Sequence, residues 1–139
     1  MKHNVDVTWD ADMAFDVNVG DHTLRIDAGE KVGGKNSGPP PKPLMLAALG
    51  GCTGMDVVSI LRKMRVDLTY FNVKVEADST EEHPKHYYKM KIIYEFKGNN
   101  LDREKLEKAV NLSEEKYCGV SEVYRKAMEL STEIRILED

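Results

Sequence analysis

The chain has 139 residues, of which 41% are hydrophobic and 32% charged, and its net charge is −4. This composition is typical of one globular domain and excludes a disordered chain or one with a large basic face for nucleic acid. We count no apolar run near the ~20 residues of a membrane span and no signal-peptide core in MKHNVDVTWD, so we expect a cytoplasmic protein without a membrane segment.

Three short strands are predicted at the N-terminus. Apolar and polar residues alternate from Val5 to Trp9 and again from Met13 to Val19, as they do in half-buried strands. Gly20–Asp21 is typical of a hairpin turn and leads into a third strand through Leu24 and Ile26. The glycines and prolines of Glu30–Pro43 then predict a long loop, which we expect to be the most mobile segment.

From Leu44 onward the pattern becomes helical, and cations follow at Arg62 and Lys63. The alternation of Phe71–Asp78 predicts a strand, Glu81–His86 a turn, and Met90–Phe96 the returning strand of a hairpin.

Two helices and a last strand complete the prediction. Asp102 is placed to cap a short helix, and Ser113 to cap a second helix that runs to about Leu130. Ile134 and Ile136 indicate a final strand. We therefore expect an α+β fold in a single domain that spans residues 1–139.

Cys52 and Cys118 are the residues most suggestive of chemistry. Each has several open roles: inert core filling, a metal ligand, half of a structural disulfide, or a nucleophile. Two cysteines alone are too few for a zinc site, and we expect no metal or cofactor. In a reducing compartment a pair that does anything is more often redox-active than structural. On a helical wheel Cys52 shares a stripe with Asp56, Ser59 and Lys63, and Cys118 also falls on a polar stripe, which argues against core filling.

The reactive form of cysteine is the thiolate, and the local sequence gives it little support. An unperturbed thiol has a pKa of about 8.5, so a nearby cation or a helix N-terminus must lower it. Asp56 lies one turn after Cys52, while Glu114, Glu115 and Glu122 surround Cys118. Carboxylates this close raise a thiol pKa, so any activating cation has to come from elsewhere in the fold or from a second subunit.

The segments PKPLMLAALGGCTGMDVVSILRKM (Pro41–Met64) and LSEEKYCGVSEVYRKA (Leu112–Ala127) resemble the two cysteine helices of the OsmC/Ohr family, in particular its YhfA-related branch. The resemblance covers nearly the whole chain. It implies an OsmC-like fold in which antiparallel sheets wrap central helices and two chains form an intertwined homodimer.

The resemblance also implies an activity, the thiol-dependent reduction of organic hydroperoxides and hydrogen peroxide in oxidative-stress defence. By the same resemblance, Cys52 is the peroxidatic nucleophile and becomes a sulfenic acid. Cys118 is the resolving thiol that condenses with it to a disulfide, and an external dithiol reduces that disulfide.

The chain departs from the peroxidases of that family in two ways. They carry an arginine near the N-terminus and a glutamate shortly before the first cysteine, whereas residues 1–24 contain no arginine here and no acidic residue lies between Glu30 and Cys52. Arg25 is the first arginine, and it is either a solvated strand charge or the missing thiolate partner. Lys42 is the alternative cation.

The departures keep a second function open, a non-catalytic protein that binds a small ligand in an apolar interface pocket. The thiol pair favours the enzyme, and the missing arginine and glutamate favour the binding protein.

Overall fold

The computed structural model describes residues 1–138, so Asp139, the last residue of the expected domain, lies outside the described part. The chain divides into two compact units, Met1–Met45 and a second that begins at Leu46. The expectation of a single domain stays a prediction, and each unit is described by itself below.

The first unit is a three-stranded antiparallel sheet followed by a loop. Its strands are β1 (Val5–Ala11), β2 (Ala14–Val19) and β3 (His22–Ile26), in the order β1-β2-β3. Val19 pairs with His22 across the Gly20–Asp21 turn, which confirms the predicted hairpin, and Gly20 has the positive φ that such a turn requires.

The loop after β3 is organised around one buried carboxylate. Asp27 is 3% exposed and accepts hydrogen bonds from the backbone N–H groups of Ala28, Lys35 and Ser37 and from the Ser37 hydroxyl. These bonds hold the pKa of Asp27 well below its usual range, since all of them favour the charged form. The loop is thus tied to its own first residue, and its expected mobility stays a prediction.

Helix α1 (Leu44–Lys63) begins at the boundary of the two units and forms the main helix of the second unit. It packs closely on β4 because Gly50 and Gly54 present no side chain there: a Cβ on either would lie 3.3 Å from a valine methyl of β4. By length and composition α1 is apolar enough to cross a membrane. The sequence showed no uninterrupted apolar run of that length because polar residues and glycines interrupt it. The core helices of many proteins have the same length and composition, so this property alone does not indicate a membrane span.

The second sheet has the order β4-β5-β6, with β4 (Leu68–Ser79) antiparallel to β5 (Tyr87–Gly98). The predicted hairpin is therefore confirmed. β6 (Glu129–Ile136) runs parallel to β5, so this sheet is mixed and the expectation of antiparallel sheets is wrong for it. The chain crosses over between the two strands through two helices, as a parallel pair requires. Alternate side chains of β5 are fully buried and form the centre of the core, namely Met90, Ile92, Tyr94 and Phe96.

The crossover contains α2 (Arg103–Leu112), a π-helical turn (Ser113–Tyr117) and α3 (Gly119–Ala127). Asp102 caps α2 by accepting from the N–H of Glu104, as predicted. The prediction that Ser113 caps a helix reaching Leu130 is wrong. Cys118 is the N-cap of α3, because the Ser113 hydroxyl is engaged elsewhere in the core, and the helix ends at Ala127 so that β6 can start at Glu129. The α+β class is confirmed.

Candidate functional site

Cys52 and Cys118 occupy different local environments within the second unit. Cys52 is the ninth residue of α1 and is partly exposed, whereas Cys118 is only 3% exposed. Cys118 is held at the junction of two helical segments: its N–H donates to the Ser113 carbonyl at 2.7 Å, and its Sγ accepts from the N–H of Ser121 at 3.4 Å. Both cysteines are free thiols.

The two thiols lie within hydrogen-bonding range of each other. Burial raises the pKa of Cys118 most, the neighbouring polar groups of Ser121 lower it, and the Cys52 thiol raises it again. The fold thus brings together two cysteines, Cys52 and Cys118, that are 66 positions apart in the sequence. Such a pair can be oxidised to a disulfide and reduced again without a metal or cofactor.

A buried network of hydroxyl groups includes Thr53, the residue that follows Cys52. Thr53 Oγ1 is 2.7 Å from the Tyr94 hydroxyl and 2.8 Å from Ser113 Oγ, and Ser113 donates to Asp56 Oδ2 at 2.9 Å. Thr53, Tyr94 and Ser113 are all 0% exposed. The network therefore links the helix of Cys52 to β5 and to the π-helical turn that precedes Cys118.

The other end of the network is charged. Tyr94 donates to Glu114 Oε1 at 2.6 Å, and Glu114 Oε2 is 3.7 Å from Nη2 of Arg125, which also donates to the Glu114 carbonyl at 2.7 Å. Burial, followed by the charge of Glu114, raises the pKa of Tyr94 well above its usual range. Tyr94 is consequently a neutral donor at neutral pH.

Arg25 belongs to the first unit and is bound by acidic side chains there. Its guanidinium donates to Asp16 Oδ1 at 3.0 Å, to Asp10 Oδ2 at 3.1 Å and to Ser37 Oγ at 3.1 Å. The bonds to Asp10 and Asp16 raise the pKa of Arg25 further, so it remains a cation. Its role beside Cys52 stays a prediction, as does that of Lys42.

An open apolar groove of about 650 Å³ runs between α1 and β4. Its walls include Leu46, Met55, Val58, Phe71 and Val73, and neither cysteine lines it. Met55 is 78% exposed, so this groove continues onto the outer face of α1. Among residues 1–138 no group of three or more histidine, cysteine or acidic side chains is arranged to hold a metal ion.

Sequence reasoning singled out the cysteines but missed the polar groups around them. Nothing near Tyr94 in sequence indicates that its hydroxyl meets Thr53 and Glu114. Ser121 gave no signal either, because its contact with Cys118 depends on α3 beginning at Gly119, and cysteine is not among the usual N-cap residues.

A known protein family matches most of the chain. Residues 34–133, which include both cysteines and the whole hydroxyl network, match the family described as OsmC-like protein. The chain belongs to the OsmC-like family. Protein YhfA of Escherichia coli K12 is 37% identical over 99 residues, which cover 69% of this chain and 74% of YhfA.

Solved structures share the fold along all or nearly all of the chain. A hypothetical protein from Aquifex aeolicus VF5 superposes with a TM-score of 0.86 at 26% identity, covering 100% of this chain and 99% of that one. The organic hydroperoxide resistance protein OsmC of Legionella pneumophila superposes with a TM-score of 0.68 at 14% identity, covering 97% of each chain. The OsmC-like fold is confirmed, and at 14% identity the second likeness concerns the fold alone.

Proposed function

We propose that this OsmC-like protein is a thiol-dependent reductase of organic hydroperoxides or hydrogen peroxide that works through Cys52 and Cys118. The observation that carries the proposal is the placement of a partly exposed Cys52 thiol within hydrogen-bonding range of a buried Cys118 thiol. The organic hydroperoxide resistance proteins that share the fold give the proposal its substrate class.

In the proposed reaction the Cys52 thiolate attacks one oxygen of the peroxide. The O–O bond breaks, the alcohol or water leaves after taking up a proton, and Cys52 becomes a sulfenic acid. The Cys118 sulfur then attacks the Cys52 sulfur, water leaves, and a disulfide forms. An external dithiol reduces this disulfide, so that one peroxide and one dithiol give an alcohol, water and an oxidised dithiol.

The exposure of the two thiols fits the order of these steps. The peroxide must reach the first sulfur from solvent, and Cys52 is the more exposed of the two. Cys118 is 3% exposed and is therefore protected from direct oxidation until Cys52 has reacted. A cytoplasmic location, as expected from the sequence, would keep both thiols reduced and ready.

The proposal is tested by mass and thiol counting after one equivalent of cumene hydroperoxide. The wild-type protein should lose both free thiols and two mass units. Cys118→Ser should instead stop at the sulfenic acid or proceed to irreversible oxides, because no resolving thiol remains. Cys52→Ser should consume no peroxide above the uncatalysed rate while keeping its fold. Two free thiols in wild-type protein under excess peroxide would rule out this function.

Arg25 is proposed as the cation that favours the Cys52 thiolate. Its charge is maintained by Asp10 and Asp16, which compete with a thiolate for the same guanidinium. Arg25→Ala should therefore raise the pH midpoint of Cys52 alkylation, since a nearby cation lowers a thiol pKa. Lys42→Ala is the matched variant, and an unchanged midpoint in Arg25→Ala with a raised one in Lys42→Ala would transfer the role to Lys42.

A non-catalytic binding protein is the second candidate, and the apolar groove between α1 and β4 favours it. A groove of about 650 Å³ is in the size range of small-molecule sites. Binding of an apolar fluorescent probe that Met55→Lys abolishes, in a protein that consumes no peroxide, would support this candidate.

We also propose that two copies form the homodimer that the family resemblance implies. Each unit leaves large apolar side chains in solvent: Met55 on α1 is 78% exposed, and Trp9 on β1 is 63% exposed. Monomeric proteins rarely leave such surfaces open, and a second copy is the simplest cover. Light scattering at micromolar concentration should give the mass of a dimer, and a persistent monomer would contradict it.

A further inference from the structure

Cys118 differs from Cys52 in the hydrogen-bond donors around its sulfur. It is the N-cap of α3, a nine-residue helix, and its Sγ accepts the N–H of Ser121 at 3.4 Å. In this position a side chain faces the free N–H groups of the first helical turn, which favour a negative charge. Cys52 lies in the middle of α1, where the backbone N–H groups are already bonded within the helix.

Besides its N–H, Ser121 has a buried hydroxyl group without a hydrogen-bond partner in the described part of the chain. Its side chain is 0% exposed, and among residues 1–138 its hydroxyl oxygen is a buried side-chain atom without a formed hydrogen bond. Such a group costs stability, so an unpartnered buried hydroxyl calls for an explanation. The hydroxyl lies near the Cys118 sulfur, where its donor character lowers the pKa of a thiol that burial raises.

We propose that Ser121 is the hydrogen-bond donor that stabilises the Cys118 sulfur as the leaving thiolate when an external dithiol opens the Cys52–Cys118 disulfide at Cys52. This inference rests on the proposed function, since it concerns the step that regenerates the two thiols. Among the described residues the Ser121 hydroxyl has no formed hydrogen bond in the reduced protein, and the negative Cys118 sulfur of that step is the partner that it would gain.

The direction of attack follows from exposure. A thiolate of the dithiol attacks the Cys52 sulfur, which is the accessible one; the S–S bond breaks, and Cys118 leaves with the electron pair. The second thiol of the dithiol then attacks the mixed disulfide and releases Cys52, so the dithiol is oxidised and the protein disulfide reduced. Thiol–disulfide exchange is faster when the leaving sulfur is the better-stabilised anion.

The test measures how fast dithiothreitol reduces the disulfide, prepared with diamide so that no peroxide chemistry is involved. Ser121→Ala should be reduced about five- to tenfold more slowly than wild type, the effect of losing a hydrogen bond to a partly charged sulfur. Ser131→Ala, an exposed serine on β6, is the control and should match wild type.

A second pair of variants separates the hydroxyl from the volume of the side chain. Ser121→Thr and Ser121→Val have nearly the same shape, but only threonine keeps the donor. The threonine variant should be reduced faster than the valine variant by the same five- to tenfold factor, even if both lose some stability. Equal rates for the two would overturn the inference.

The site of attack is read separately with glutathione as a monothiol. After brief exposure of the disulfide form and quenching with iodoacetamide, glutathione should be found on the Cys52 peptide and the alkyl group on Cys118. Glutathione on Cys118 would overturn the inference.

These outcomes distinguish a failure of the inference about Ser121 from a failure of the proposed peroxidase function. If wild type forms and loses the disulfide under peroxide but Ser121→Ala is reduced at the wild-type rate, only the inference fails. If peroxide does not react but the diamide disulfide shows the Ser121 effect, the inference stands and the peroxidase proposal fails. If diamide gives no Cys52–Cys118 disulfide, both fail.

Discussion

Replacing Tyr94 by phenylalanine tests whether the buried hydroxyl network contributes to stability. The change removes one oxygen and keeps the ring, which is 0% exposed in the centre of β5. The lost hydroxyl donates to Glu114 Oε1 at 2.6 Å and is 2.7 Å from Thr53 Oγ1. No other contact of the ring needs to change, so the effect on stability is that of the two hydrogen bonds.

The expected cost follows from what each partner keeps. A hydrogen bond to a charged group contributes about 1.5–3 kcal/mol, and a neutral one about 0.5–1.5 kcal/mol. Thr53 keeps its 2.8 Å contact with Ser113, so the neutral bond is partly replaced. The Glu114 side chain is only 11% exposed, and its remaining ion-pair partner Arg125 is 3.7 Å away, so this carboxylate loses its best donor. We expect Tyr94→Phe to lower the free energy of unfolding by about 2–3 kcal/mol.

The measurement is equilibrium unfolding in urea at fixed protein concentration, with wild type and variant compared at equal m-value. Tyr88→Phe is the matched control, because Tyr88 lies on the same strand but is 50% exposed, and it should change stability by less than about 0.5 kcal/mol. If Tyr94→Phe costs no more than Tyr88→Phe, the network does not stabilise the core and the reasoning is refuted.

Three further predictions come from other parts of the chain. Gly51→Ala should raise the free energy of unfolding by about 0.5–1 kcal/mol in thermal unfolding, since a Cβ there meets nothing within 4 Å. Gly54→Ala should raise it less, because its Cβ would lie 3.3 Å from a Val73 methyl. Equal stabilisation by the two variants would refute the close packing of α1 on β4. The four donors to Asp27 lower its pKa, so the carboxylate should hold the loop from neutral pH to below its unfolded pKa of about 3.9. The loop should be released only as the pH falls through the lower pKa of the folded state. An NMR titration midpoint of Asp27 above about 3.9 would contradict this. Because burial raises the pKa of Cys118, the folded state holds its proton longer than the unfolded state, so stability should decline as the pH rises above about 8.5, and Cys118→Ser should lessen that decline in urea unfolding.

Much of the fold could be predicted because its signals are local. Alternation marked the strands of both sheets, the Gly20–Asp21 turn marked the hairpin of β2 and β3, and Asp102 marked the start of α2. Each of these depends on residues within a few positions of one another. The order of the strands is not local, and the parallel pairing of β6 with β5 has no counterpart in the alternation of either strand.

The candidate site was predicted only in its reactive atoms. A cysteine is conspicuous in any sequence, but Thr53 and Ser113 are ordinary polar residues until the fold places their hydroxyls 2.8 Å apart across 60 positions. Ser113 is a residue for which prediction from its neighbours in sequence fails. A serine followed by two glutamates is typical of a helix start, yet its hydroxyl is taken by Asp56 and Thr53, and the cap position falls to Cys118 instead.

The two cysteines have complementary deficiencies, and this is the strongest argument that they act as a pair. Cys52 has access to solvent but lies within a helix, one turn from the carboxylate of Asp56. Cys118 accepts the Ser121 N–H at a helix N-terminus, but burial raises its pKa, and at 3% exposure it has almost no access to solvent. A single-cysteine peroxidase would need access and anion stabilisation at one sulfur. Here the sulfur that solvent reaches and the sulfur at a helix N-terminus are different atoms, an arrangement that a cycle through an intramolecular disulfide can use.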